Sequence, residues 1–160
     1  MPLASPHTIV QARSGADYSA AADLMRAYAR ELDVDLCFQD FEAELEDLPS
    51  QYGPPTGSLL LAKRAGRAVG CVGLRPKGEG ATCEMKRLFV EPAYRGHGLG
   101  EALCRAVLDE GRRLGYKHMV LDTLRSLTPA LHLYQTLGFE EIPPYYDNPL
   151  DDVVYMACTL

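Results

Sequence analysis

Paired cysteines, a basic surplus, long apolar runs and repeats are all missing from this sequence. Its five cysteines are an odd number with no C-x-x-C spacing, so neither a disulfide framework nor a zinc site is indicated. No metal is expected. No apolar run approaches the length that crosses a bilayer, so no membrane association is expected. The opening MPLASPHTIVQAR lacks the charged and apolar regions of a signal peptide, which makes the cytoplasm the expected location. The 16 Lys and Arg are outnumbered by 22 Asp and Glu, for a net charge of −6. That balance argues against nucleic acid as a partner and mildly favours a cationic or amine substrate. With no repeat and no low-complexity stretch, one domain over residues 1–160 is expected, long enough to bury a core.

What is present is concentrated between residues 83 and 114. Residues 84–90 are rich in bulky apolar types and predict a strand, which Pro92 ends because proline brings no N–H to a sheet. The turn Arg95-Gly96-His97-Gly98-Leu99-Gly100 follows. Apolar positions at Leu99, Leu103, Val107, Gly111 and Leu114 then predict a helix, stopped by Gly115. A helix start carries unpaired N–H groups and a positive dipole end. Three glycines within five residues remove the side chains that would hold a ligand off those groups, and Arg95 adds a cation. The combination suits a phosphate or diphosphate. Tight turns also use glycine for backbone reasons alone, so that reading stays beside it. A Walker A loop is excluded, since no Lys-Ser or Lys-Thr follows the glycines. A dinucleotide fingerprint fits less well, because Glu101 stands where its third glycine belongs.

The remaining chain alternates strands and helices. Strands are expected at residues 8–13, 58–63, 68–74, 117–123, 139–142 and 153–159. Ala65-Gly66-Arg67 marks a hairpin and Gly78-Glu79-Gly80 a second turn. A helix is expected over residues 18–33 behind an Asp17 cap, and a shorter one over residues 41–48 behind Asp40. Thr128-Pro129 reads as a hydroxyl cap followed by proline at the first helical position. The strand after the long helix must lie parallel to residues 84–90, because a crossover joins them. The expected class is therefore α/β, with a mixed, mostly antiparallel sheet and helices on both faces.

Two motifs carry a resemblance. Arg95-Gly96-His97-Gly98-Leu99-Gly100, behind Leu88-Phe89-Val90-Glu91-Pro92, resembles the [RQ]-x-x-G-x-[GA] signature of the GNAT superfamily of N-acetyltransferases. Residues 130–139, with Ala130, Leu133, Tyr134, Gly138 and Phe139, resemble its A-x-x-L-Y-x-x-x-G-F segment. The resemblance implies an acetyl-CoA-dependent N-acetyltransferase, with coenzyme A as product and a primary amine as acceptor, by direct attack. It places the diphosphate on Arg95, Gly96, His97, Gly98, Leu99 and Gly100, and the pantetheine arm on the backbone of Leu88, Phe89 and Val90. The family's arm-binding asparagine falls on Leu127, with Ser126 or Thr128 as substitutes. Glu84 is the implied general base and Tyr134 the implied acid for the departing thiolate.

Bland readings stand beside these roles. Glu84 could pair with Lys86 or Arg87, and Tyr134 could be a core aromatic. His97 and His118 are rival bases. For the acceptor, Tyr52, Tyr145, Tyr146 and Asn148 lie on stiff polar-aromatic loops, and Arg75 and Arg87 could clamp a carboxylate. A small, amino-acid-like amine is the expected acceptor. A protein N-terminal or lysine acetyltransferase and a non-catalytic acyl-CoA-binding module are the rival readings. A homodimer is kept open.

Overall fold

The computed structural model describes residues 7–32 and 40–160. Its elements are β1 (His7–Gln11), α1 (Gly15–Leu32), α2 (Phe41–Glu46), α3 (Leu48–Tyr52), β2 (Ser58–Arg64), β3 (Arg67–Pro76), β4 (Thr82–Val90), α4 (Leu99–Arg113), β5 (His118–Leu124), α5 (Thr128–Thr136), β6 (Glu140–Ile142) and β7 (Val153–Thr159). The seven strands form one sheet in the order β1-β2-β3-β4-β5-β7-β6. All neighbours are antiparallel except β4 and β5. This is the mixed α/β sheet expected from the sequence.

Alternation along the strands divides the core in two. Leu60, Ala62, Cys83 and Met85 meet Leu103, Val107 and Tyr134 on the α4–α5 face. Leu59, Leu61, Cys71 and Phe89 meet Ala21, Met25 and Leu45 on the α1–α2 face. Gly73 leaves room for the ring of Tyr52, since a Cβ there would lie 2.7 Å from it.

Three local expectations are corrected. Helix α1 begins at Gly15, two residues before the expected Asp17 cap. The Ser14 hydroxyl accepts from the Asp17 N–H (3.1 Å) and the Asp17 carboxylate accepts from the Ser14 N–H (3.4 Å), a reciprocal capping box. The expected last residue of that helix, 33, lies outside the described residues. The expected helix over residues 41–48 is two short ones, because Asp47 leaves helical geometry and caps α3 through the Ser50 N–H. In α5 the cap position is Leu127, not Thr128, and Pro129 is the second helical residue.

Two features of β4 create the site. First, β4 pairs with β5 only at Thr82, Glu84 and the residue between them. Beyond that point the two strands splay, and the β5-facing edge of β4 from Met85 to Val90 has no strand beside it. Second, β4 carries a bulge. Cys71 pairs with Phe89 but Gly73 pairs with Lys86, so β4 holds one extra residue there. Arg87 sits in that bulge at φ +61°, a left-handed conformation that is uncommon for a residue with a side chain.

Candidate active site

A groove of about 370 Å³ runs along the free edge of β4. Leu88, Phe89 and Val90 form one side, and Arg95, Gly96, Gly98, Leu99 and Gly100 form its end at the start of α4. Gly96 and Gly98 have φ of +84° and +79°, which glycine adopts without penalty. The first bond of α4 runs from the Ala102 N–H to the Gly98 carbonyl, so the N–H groups of Leu99, Gly100 and Glu101 have no acceptor within the helix. The glycine turn thus sets the N-terminal end of α4 at the groove. Arg95 is held there: Nε donates to the Val90 carbonyl (2.9 Å), and its other end pairs with Glu31 at 2.7 Å. His97, Ser126 and Thr128 are exposed and do not line the groove.

A second, smaller cavity of about 90 Å³ fills the splay between β4 and β5. Lys86, Arg87, Asp122, Tyr134 and Asn148 bring polar groups to it. Tyr28, Leu32, Leu88, Leu127 and Ala130 line both cavities, so the two meet at those residues. Leu127, where the resemblance calls for asparagine, stands at the junction. Tyr134 is buried and packs edge-on against Phe139 at 5.8 Å. Burial holds its phenol well above the usual tyrosine range, so it keeps its proton at any working pH. Burial likewise pushes Tyr28 up to about 12.

The buried charges are paired across elements. Lys86 Nζ lies 3.6 Å from Asp122 Oδ1, spanning the splay. Burial lowers the Lys86 ammonium from its ordinary value, against the pull of Asp122. Tyr146 donates to the other Asp122 oxygen (2.7 Å), and Asn148 donates to Tyr146 (2.8 Å). Arg87 makes two bonds of 3.0 Å to Glu44, and Tyr52 donates to the same carboxylate (2.8 Å). Burial raises the Glu44 carboxyl, but the hydrogen bonds and charge of Arg87 outweigh it and hold the group below the usual range. Glu84 is 1 % exposed; Arg75 donates to one of its oxygens (3.0 Å) and Tyr145 to the other (2.7 Å).

Set against the expected site, the structure gathers Leu88, Phe89, Val90, Arg95, Gly96, Gly98, Leu99 and Gly100 on the groove, and Tyr134, Arg87 and Asn148 on the smaller cleft. Glu84 and Arg75 line neither cavity and are engaged with each other. Tyr52 is fully buried as a partner of Glu44. Tyr146 reaches the cleft at one remove, through Asp122, whereas Tyr145 bonds to Glu84 outside both cavities. His118 is exposed on β5. Sequence reasoning missed Asp122 as a cleft residue and the paired Lys86, which meet only once β4 and β5 are set side by side. It also missed Tyr28 and Leu32, whose helical spacing marks a buried face without saying what that face covers. Among the described residues no group of three or more His, Cys, Asp or Glu is placed to hold a metal ion, and no helix is long and apolar enough to cross a membrane.

Comparison with known proteins agrees with this geometry. The sequence model of the acetyltransferase (GNAT) family matches residues 21–139. An uncharacterized N-acetyltransferase of Schizosaccharomyces pombe is 46 % identical over 134 residues, covering 83 % of this chain and 82 % of that protein. The N-acetylaspartate synthetase of Danio rerio is 29 % identical over 77 % of this chain and 44 % of its own longer length. A GNAT family acetyltransferase from Elizabethkingia anophelis, solved with acetyl-CoA bound, superposes with a TM-score of 0.68 at 25 % identity, covering 96 % of this chain and 98 % of that one. The protein is therefore an enzyme of the acetyl-CoA-dependent acyltransferase class. More narrowly, the chain belongs to the GNAT family of N-acetyltransferases.

Proposed function

We propose that the enzyme acetylates a small, amino-acid-like amine in the cleft between β4 and β5, with acetyl-CoA in the adjoining groove. The observation that carries this reading is the junction of the two cavities at Leu88, Leu127 and Ala130. A donor along β4 would present its acyl end where the second cavity begins. That cavity, of about 90 Å³, is too small for a folded partner's surface and would take only the reacting end of an amine.

Acetyl-CoA supplies a thioester, whose carbonyl carbon accepts the amine nitrogen and whose C–S bond breaks. The free edge of β4 and the N–H groups opening α4 would hold the donor. A backbone N–H of that edge would stabilise the oxyanion. Tyr134, protonated at working pH, would donate to the departing sulfur. The amine must lose a proton, and Asp122, the carboxylate that lines the cleft, would receive it. Glu84, the base implied by the family resemblance, lines neither cavity and would receive a proton only at a distance from the cleft.

Steady-state thiol release from Asp122→Asn and Glu84→Gln separates the two bases. The expected result is a kcat loss of about 100-fold in the first and much less in the second. The reverse order would return the role to Glu84, and full activity in both would remove carboxylate catalysis from the mechanism.

A further inference from the structure

The groove along β4 carries two charged side chains among the described residues that line it, and they are bound to each other. Arg95, in the turn before α4, gives Nη2 to Glu31 Oε2 at 2.7 Å. Glu31 comes from the last turn of α1, 64 residues earlier in the chain. Packing of that helix holds it at the groove: Tyr28 and Leu32 line the same wall, and Tyr28 meets Phe89 of β4 edge-on at 6.1 Å. Both charged side chains are 44 % exposed, so a ligand can reach the pair from water.

Arg95 does not depend on Glu31 for its position. Its Nε donates to the Val90 carbonyl (2.9 Å), and its guanidinium lies over the Phe89 ring at 5.5 Å. What Glu31 takes is the Nη2 end and, with it, the charge. A guanidinium meets a carboxylate and a phosphate through the same donors, so one partner at that end excludes the other. Acetyl-CoA and coenzyme A both carry a diphosphate, and the reading above lays them in this groove. We propose that Glu31 competes with the diphosphate for Arg95 and so loosens the hold of the groove on acetyl-CoA and coenzyme A alike. Docking exchanges one partner of Nη2 for another, and the carboxylate turns to water at little cost because the pair is exposed. This inference rests on the donor groove proposed above and adds to it a residue that opposes the donor.

The test is calorimetry with coenzyme A in about 50 mM and about 0.5 M NaCl, on wild type, Glu31→Gln, Arg95→Gln and the double variant. Glutamine keeps the length of the Glu31 side chain and removes its charge. Glu31→Gln is expected to tighten coenzyme A by about 5-fold at the lower salt, the upper range for an exposed ion pair. Acetyl-CoA gains by the same factor, since the two ligands share the diphosphate. At the higher salt the gain shrinks to about 2-fold or less. With Arg95 already replaced, removing the Glu31 charge changes affinity by less than about 2-fold, because the contested cation is gone. Should Arg95→Gln bind too weakly to measure, Glu31→Gln against wild type at the two salts decides. A Glu31→Gln protein that binds coenzyme A as wild type does, or more weakly, overturns the proposal and leaves the donor groove standing. So does a gain that salt leaves untouched or that persists with Arg95 replaced. Wild type that takes up no coenzyme A at millimolar ligand overturns both.

Discussion

Replacing Glu44 by glutamine isolates what supports the bulge in β4. The carboxylate and the Arg87 guanidinium are each 3 % exposed and joined by two bonds of 3.0 Å. Glutamine keeps the shape and one acceptor oxygen but removes the charge, leaving a guanidinium buried without its counter-ion. Breaking a buried pair from one side costs about 3–5 kcal/mol. Because one hydrogen bond survives, about 3 kcal/mol is expected, which lowers Tm by about 6–12 °C in a chain of this size. Thermal and urea unfolding at neutral pH, followed by circular dichroism, measure it. The pH dependence supplies a second signature. Glu44 is held below the ordinary carboxylate value of 4.5, so its stabilisation is complete above that pH and is lost as pH falls through the lower folded value. The difference between wild type and Glu44→Gln is therefore full at neutral pH and shrinks below about pH 4.5. A Tm within about 2 °C of wild type at neutral pH, or a difference that stays constant into acid, would refute the reasoning.

Three further outcomes follow from the same geometry. Under the proposed mechanism, Tyr134→Phe removes the proton offered to the leaving thiolate while keeping the ring on Phe139; kcat is expected to drop about 100-fold, with acetyl-CoA affinity by calorimetry little changed. Gly73→Ala drives a methyl to 2.7 Å from the Tyr52 ring and should cost about 1–3 kcal/mol in urea unfolding. Gly98→Val places a branched side chain at φ +79° on the groove wall, so KM for acetyl-CoA rises about 10-fold or more while KM for the amine moves less.

Much of the groove along β4 was legible in the sequence because its signals are local. The glycines at 96, 98 and 100, the strand before them and the four-residue spacing behind them lie within one continuous stretch, and the structure assembles them in that order. The cleft between β4 and β5 was not, because its contacts are long-range. Arg75 and Glu84 look like free site residues until register sets them opposite each other on β3 and β4. Lys86 meets Asp122 only across the single parallel pairing of the sheet. The left-handed Arg87 has no signature in its residue type, since glycine or asparagine would be the natural choice there. Thr128 next to Pro129 is a strong cap signal, yet the chain enters α5 one residue earlier, so local propensity gave way to the path from β5.

The proposed donor groove is formed by the free edge of β4 and the opening turn of α4. Amide-resolved NMR during titration with coenzyme A addresses it directly. Near one equivalent, the largest shifts are expected at the amides of Gly96, Gly98, Leu99 and Gly100, and along Leu88, Phe89 and Val90. Shifts centred elsewhere on the sheet, or none at millimolar ligand, would contradict it.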